Sequence, residues 1–207
     1  MFIEIPANKN SLNLRKLIHG VGINDADYIV RPRVDGKSKL CSYYERWHNM
    51  LTRCYSAVEH ARSPTYIDCT VCEEWLTFTN FKIWMKSQEW KGKHLDKDAI
   101  LPNNKIYSPE FSSFVSRDIN NAIESRENKR LLNGLPQGVR YLSRSKTYEC
   151  RIKINGKIIK LGKFSTTKLC ELAFNNAKAD RFISLANTET DDRVANGLRL
   201  HAKLLQG

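Results

Sequence analysis

The chain has 207 residues, 41% of them hydrophobic, enough for one ordinary core or for two small ones joined by a linker. Thirty-four Lys and Arg against 22 Asp and Glu leave a formal net charge of +12, which favours a polyanionic partner, nucleic acid first, over an acidic small molecule. The opening MFIEIPANKNSLNLRKLIHG has no continuous apolar stretch, and no run of about 18 apolar residues follows, so neither a signal peptide nor a membrane partner is expected.

In chain order, the first clear pattern is SYYERWHNMLTRCY, where Tyr44, Trp47, Met50, Leu51 and Cys54 recur at helical spacing. That is an apolar stripe for packing. All four tryptophans (Trp47, Trp75, Trp84, Trp90) precede residue 91, and EEWLTFTNFKIWMKSQ reads as a second helical segment. Cys69-x-x-Cys72 has zinc-like spacing, but no second CxxC or His pair stands at finger distance. The six cysteines are too unevenly spaced for a disulfide framework, and free thiols are expected.

Next comes GKHLDKDAILPNNKIYSPEFSSFV (92–115). His94 and Asp96 are two apart and share a face if their segment is a strand. An Asn-Asn turn follows, and Ser108-Pro109 has the form of an N-cap and first helical residue, so a hairpin leading into a helix is expected.

The polar stretch ENKRLLNGLPQ (127–137) reads as a linker. It separates residues 1–130 from residues 131–207, which hold 14 basic and 6 acidic side chains, net +8. The charge is therefore concentrated in the shorter part. There TYECRIKIN (147–155) alternates, with Tyr148, Cys150, Ile152 and Ile154 on one face and Glu149, Arg151 and Lys153 on the other. Flanked by GVRYLS, by an Asn155–Gly156 turn and by KIIKLGKF, it predicts three antiparallel strands. Thr166 or Thr167 can cap a helix over the following twenty residues, with Leu169, Leu172, Ala173, Ala177, Phe182 and Ile183 as its apolar positions. The solvent face of the sheet would present Arg140, Arg151, Lys153 and Lys160, with Arg144 and Lys146 on the first turn. The fold class expected is α+β.

Gly138-Val139-Arg140, Tyr148-x-Cys150-x-Ile152, Leu161-Gly162-x-Phe164-x-Thr166 and the alanines at 173 and 177 resemble the plant-type APETALA/ethylene-response-factor domain. The resemblance implies that the three strands lie in the major groove of duplex DNA while the helix braces them. Arg140, Arg144, Lys146, Arg151, Lys153 and Lys160 would then be the DNA-binding residues. No Trp occurs in this segment, and Arg151 stands where the plant domains usually carry Glu, so the target sequence does not carry over.

Trp47-x-x-Met50-Leu51-x-Arg53-Cys54-Tyr55, Cys72-x-Glu74-Trp75-x-x-Phe78-x-x-Phe81, Leu95-Asp96-Lys97-Asp98, Asn104 to Glu110 and the ending Ala186 to Leu198 resemble phage HNH-type homing endonucleases fused to such a domain. The resemblance covers most of the chain. It implies an HNH-like domain over 1–130 with an N-terminal extension, then an APETALA-type domain with a C-terminal helical tail, in the cytoplasm of a bacterial host near its nucleoid. A nuclease of this kind needs a metal on the scissile phosphate and a general base. Here Lys97 follows Asp96 where a stronger motif has His, Phe111-Ser112 replaces a Thr-Cys pair, and Asn103 replaces a turn glycine. The candidate catalytic set is therefore His94, Asp96 and Asn104, with Mg or Mn needed if it is active and no cofactor needed for DNA binding. The expected function is a sequence-specific DNA-binding regulator, most simply a repressor, with a nicking endonuclease as the alternative; a homodimer on a palindromic site is one arrangement the small footprint allows.

Overall fold

The computed structural model describes residues 2–123 and 134–206, so the linker expected at 127–137 lies outside the described residues as far as 133. The fold is α+β. It divides into two compact units, residues 1–97 with 103–114 and residues 98–102 with 115–207. This division falls at other residues than the boundary expected at 130/131. Residues 115–123 and the short 98–102 segment bury their apolar side chains, Ala99, Val115, Ile119 and Ala122, in the core of the second unit. Among the described residues no helix is long and apolar enough to cross a membrane.

The first unit contains α1 (Lys9–Asn13), β1 (Arg33–Val34), β2 (Lys37–Ser38), α2 (Ser42–Tyr55), α3 (Ala57–Arg62), β3 (Thr70–Val71), α4 (Phe78–Lys86), β4 (His94–Asp96) and β5 (Ile106–Tyr107). The α2 stripe does what its spacing predicts: Trp47, Met50, Leu51 and Cys54 are buried against Trp75, Phe78, Phe81 and Met85. Trp47 Nε1 donates to the Trp75 carbonyl at 2.7 Å, so this large ring is buried without stranding its polar atom. The residues before α2 are held by Arg15, whose guanidinium donates to the carbonyls of Asn24 (2.9 Å), Ala26 (2.5 Å) and Tyr28 (2.9 Å).

The expected hairpin between His94 and Tyr107 is not a ladder. β4 pairs with β6 (Ser113–Val115), and β5 pairs in parallel with β3. Nor does Ser108-Pro109 open a helix. Ser108 closes a single turn, its carbonyl accepting from Ser112 N at 2.9 Å and its hydroxyl from Phe111 N at 3.3 Å. The next residues run as strand because Ser113 and Phe114 are buried as consecutive β positions. The helix begins only at α5 (Arg117–Ile123), where Ser116 Oγ accepts from Ile119 N as an N-cap does.

The second unit adds β7 (Val139–Leu142), β8 (Thr147–Ile154), β9 (Lys157–Phe164), α6 (Thr167–Ala186) and α7 (Asp192–Gln206). Thr166 is the N-cap of α6, accepting from Leu169 N. The buried side of α6 is only partly the one expected: Phe182 is buried and Ala173 packs under the sheet, but Leu169, Leu172 and Ile183 are exposed, while Cys170, Ala179 and Ala186 are buried. The helix serves two cores. Cys170, Ala173 and Phe174 pack under the sheet, whereas Ala179, Phe182 and Ala186 pack with α5 and α7, so no single stripe runs its length. The helical tail expected at the C-terminus is likewise a packed layer, with Val194, Ala195, Leu198 and Ala202 of α7 in that second core.

His201 of α7 stacks on Phe182 at 5.0 Å, and its Nε2–H donates to the Asp98 carbonyl at 2.8 Å. Burial lowers its pKa. A histidine that resists protonation when folded stabilises the fold above its unfolded pKa of about 6.5. That contribution is lost as pH falls from there through the lowered folded value, because the unfolded chain takes up the proton first. The thermal stability of the second unit is therefore expected to fall as pH drops below about 6.5, and His201→Gln is expected to flatten this part of the profile. An unchanged slope in the variant would assign the pH dependence to other groups.

Candidate nucleic-acid interface

β7, β8 and β9 form one antiparallel sheet with β8 in the centre. Arg140 and Lys163 flank Glu149, Arg151 faces Lys160, and Lys153 faces Ile158. Residues paired across neighbouring strands point to the same side, so all five cations share one face. Arg140, Lys153, Lys160 and Lys163 are exposed, Arg151 is half-buried, and Glu149 in their midst is only 8% exposed. The carboxylate lies 3.6 Å from Arg151 Nε and 3.9 Å from Lys160 Nζ. It removes one charge from the face and limits where the Arg151 fork can point, a preorganisation that free lysines lack.

Lys163 is absent from the cations that alternation along the strands puts on this face. Strict alternation along β9 would set Lys160 and Lys163 on opposite faces, but the ladder passes from Cys150↔Gly162 to Arg151↔Lys160 and skips Leu161. This bulge reverses the alternation, turning Leu161 toward the small core and bringing both lysines to the cationic side. Arg144 and Lys146 stand exposed in the turn before β8, Lys146 with a left-handed φ of 52°. At the other end Asn155 (φ 49°) and Gly156 (φ 78°) make the turn their dipeptide predicts.

Beneath the sheet Val139, Cys150 and Cys170 are buried, with Tyr148, Phe164 and Phe174 packed on them. Cys150 Sγ donates to the Cys170 carbonyl at 3.2 Å. Burial pushes the Cys150 thiol up to about 11, with Cys170 adding to the effect, so both remain neutral thiols packed as small hydrophobes. None of the six cysteines is in a disulfide. In the first unit Cys54 is likewise raised to about 12, by burial first and then by Cys69.

The candidate nuclease residues lie in the first unit. His94 is exposed, Leu95 buried and Asp96 half-buried, so the first and third share a strand face as expected. Asn104 takes a different part. Its Nδ2 donates to the carbonyls of Lys97 (2.8 Å) and Ile106 (2.7 Å), and its Oδ1 accepts from Ile106 N (3.1 Å). The amide is thereby committed to fixing the loop. Asn103, beside it, occupies the left-handed region at φ 61°, which explains how Asn substitutes for a turn glycine there.

Lys97 turns inward, 6% exposed, and donates to the Asn104 carbonyl at 2.5 Å, so it is not placed to meet a phosphate. Arg53, which the HNH-type pattern includes without giving it a role, is half-buried beside this strand. It donates to the Leu95 carbonyl (3.5 Å) and to Tyr107 Oη (3.3 Å), with its charge over the Tyr66 ring at 5.8 Å. Burial works against its charge, but Tyr107, Tyr66 and Asp96 more than reverse this and raise its pKa. The Asn104 amide is thus committed within its loop, and Asp96 lies within reach of the Arg53 charge. Among the described residues no group of three or more His, Cys, Asp or Glu side chains converges. Comparison with protein-family models, with curated proteins and with solved structures returned no match.

Proposed function

We propose that this chain is a sequence-specific duplex-DNA-binding protein that acts as a regulator, most simply by occupying a promoter, with its three-stranded sheet as the reading element. One observation carries the reading: Arg140, Arg151, Lys153, Lys160 and Lys163 lie on one face of the sheet. Three strands measure about 10 Å across, which fits a major groove about 12 Å wide. The eight residues of β8 extend over about 27 Å. An Arg fork can bond guanine O6 and N7, while neighbouring lysines neutralise phosphates. Double-helical RNA fits less well, because its deep, narrow major groove excludes such a sheet. Both the APETALA-type pattern of residues 138–177 and the HNH-type pattern before it support a DNA partner.

The alternative, a metal-dependent nicking endonuclease, is favoured by His94 and Asp96 sharing one strand face. A gel-shift on duplexes from the gene's own locus and its neighbours, run beside incubation of supercoiled DNA with Mg or Mn, separates the two. The expected result is retarded fragments without nicking, and binding unchanged in His94→Ala and Asp96→Ala. Metal-dependent nicking that disappears in those variants would replace the regulator by the endonuclease.

A further inference from the structure

Among the described residues, β8 has no strand partner on the β7 side after Cys150: the pairing ends at Val139↔Cys150, and beyond it Arg151 N bonds back to the Gly138 carbonyl. Along this open edge, within the second unit, lies a cleft of about 910 Å³. Arg151 and Lys153 of β8, Arg117 of α5, and Lys178 and Arg181 of α6 line it, and Asp118 is the sole carboxylate among the described lining residues. Cations gathered in a concave setting repel one another and focus a positive potential. Their side chains are also positioned: Arg181 Nη2 donates to the Asp118 carbonyl at 3.3 Å, and Lys178 Nζ lies 5.8 Å from the centre of the Phe182 ring.

Arg151 and Lys153 belong both to the sheet face and to the cleft wall, so the two positive surfaces are continuous. We propose that the cleft holds the phosphodiester backbone of the duplex beside the base pairs under the sheet, so that α5 and the middle of α6 extend the interface with phosphate-only interactions. This inference rests on the reading of the sheet as a DNA interface. It makes α6 more than a brace for the strands, and it assigns Arg117, Lys178 and Arg181 to affinity and salt dependence, not to base choice.

The test compares the full chain with Arg117→Gln/Lys178→Gln, which leaves every cation of the sheet face in place. Affinity is measured against salt on a short duplex limited to the sheet's footprint and on a longer one with flanks. On the longer duplex the slope of log affinity against log salt is expected to fall by about 2, one for each phosphate no longer neutralised. The short duplex and the base preference should be unaffected. If the double variant does not fold, the single Arg117→Gln change at an exposed position should lower the slope by about 1. An unchanged slope on the longer duplex, with wild-type binding intact, overturns the cleft assignment alone. Absence of wild-type binding to any duplex overturns the sheet reading and the cleft with it.

Discussion

Replacing Arg151 and Lys153 together by alanine is expected to weaken duplex-DNA binding by about 30- to 1000-fold, corresponding to roughly 2–4 kcal/mol for one base-reading Arg and one phosphate-neutralising Lys. Their placement explains why the fold should survive. Neither side chain contributes to the small core of Val139, Cys150 and Cys170, and Lys153 is exposed. The change does leave Glu149, buried to 8% exposure, with Lys160 as its remaining ion-pair partner at 3.9 Å, which lowers stability modestly. Adding Glu149→Gln removes that stranded charge. The triple variant is expected to recover its melting temperature but only the part of its affinity owed to net charge, not the base preference carried by the Arg151 fork, which separates an effect on the DNA interface from an effect on the fold. Unaltered affinity in the double variant would remove the sheet from the interface.

Gly138→Ala is expected to destabilise the second unit by about 2–5 kcal/mol and to weaken DNA binding in proportion to the folded fraction lost. Two penalties combine there. The backbone sits at φ +76°, and an added Cβ would overlap the Arg151 carbonyl and lie 2.6 Å from the Phe174 ring. The first costs about 1–2 kcal/mol for any residue with a Cβ, and the second forces the strand away from α6 at a cost of about 1–3 kcal/mol. Gly156 is the internal control: its φ is +78°, but nothing stands within 4 Å of an added Cβ. Gly156→Ala should therefore incur the first penalty alone. Thermal melting of the two variants checks this, and equal losses would show that the Phe174 ring yields without cost. For a unit of this size the Gly138 variant should melt at least about 8 °C lower.

Local patterns along the chain are enough to place the strands 139–142, 147–154 and 157–164, the Asn155–Gly156 turn, the Thr166 cap and the α2 stripe. In each case the signal is local: a period of two, a pair of residues that tolerate positive φ, a hydroxyl before a helix, a period near 3.6. The cationic side of β8 is legible for the same reason, since alternation alone puts Arg151 and Lys153 together.

What the tertiary structure decided depends on partners distant in the chain. The bulge at Leu161 answers to the core beneath the sheet, and it alone brings Lys163 to the face that Lys160 occupies. α6 meets a sheet at one end and helices at the other, so its buried positions follow two surfaces that no single periodicity encodes. Lys97 and Asn104 have side chains suited to a phosphate and a metal, but they bond to each other's backbone, because a buried ammonium and amide must find acceptors where no water reaches. Residues 98–102 leave the unit of their sequence neighbours for the same kind of reason: Ala99 is buried with α7. Gly197 admits their carbonyls where a Cβ would overlap the Ala99 oxygen, a close approach set by packing between segments almost a hundred residues apart.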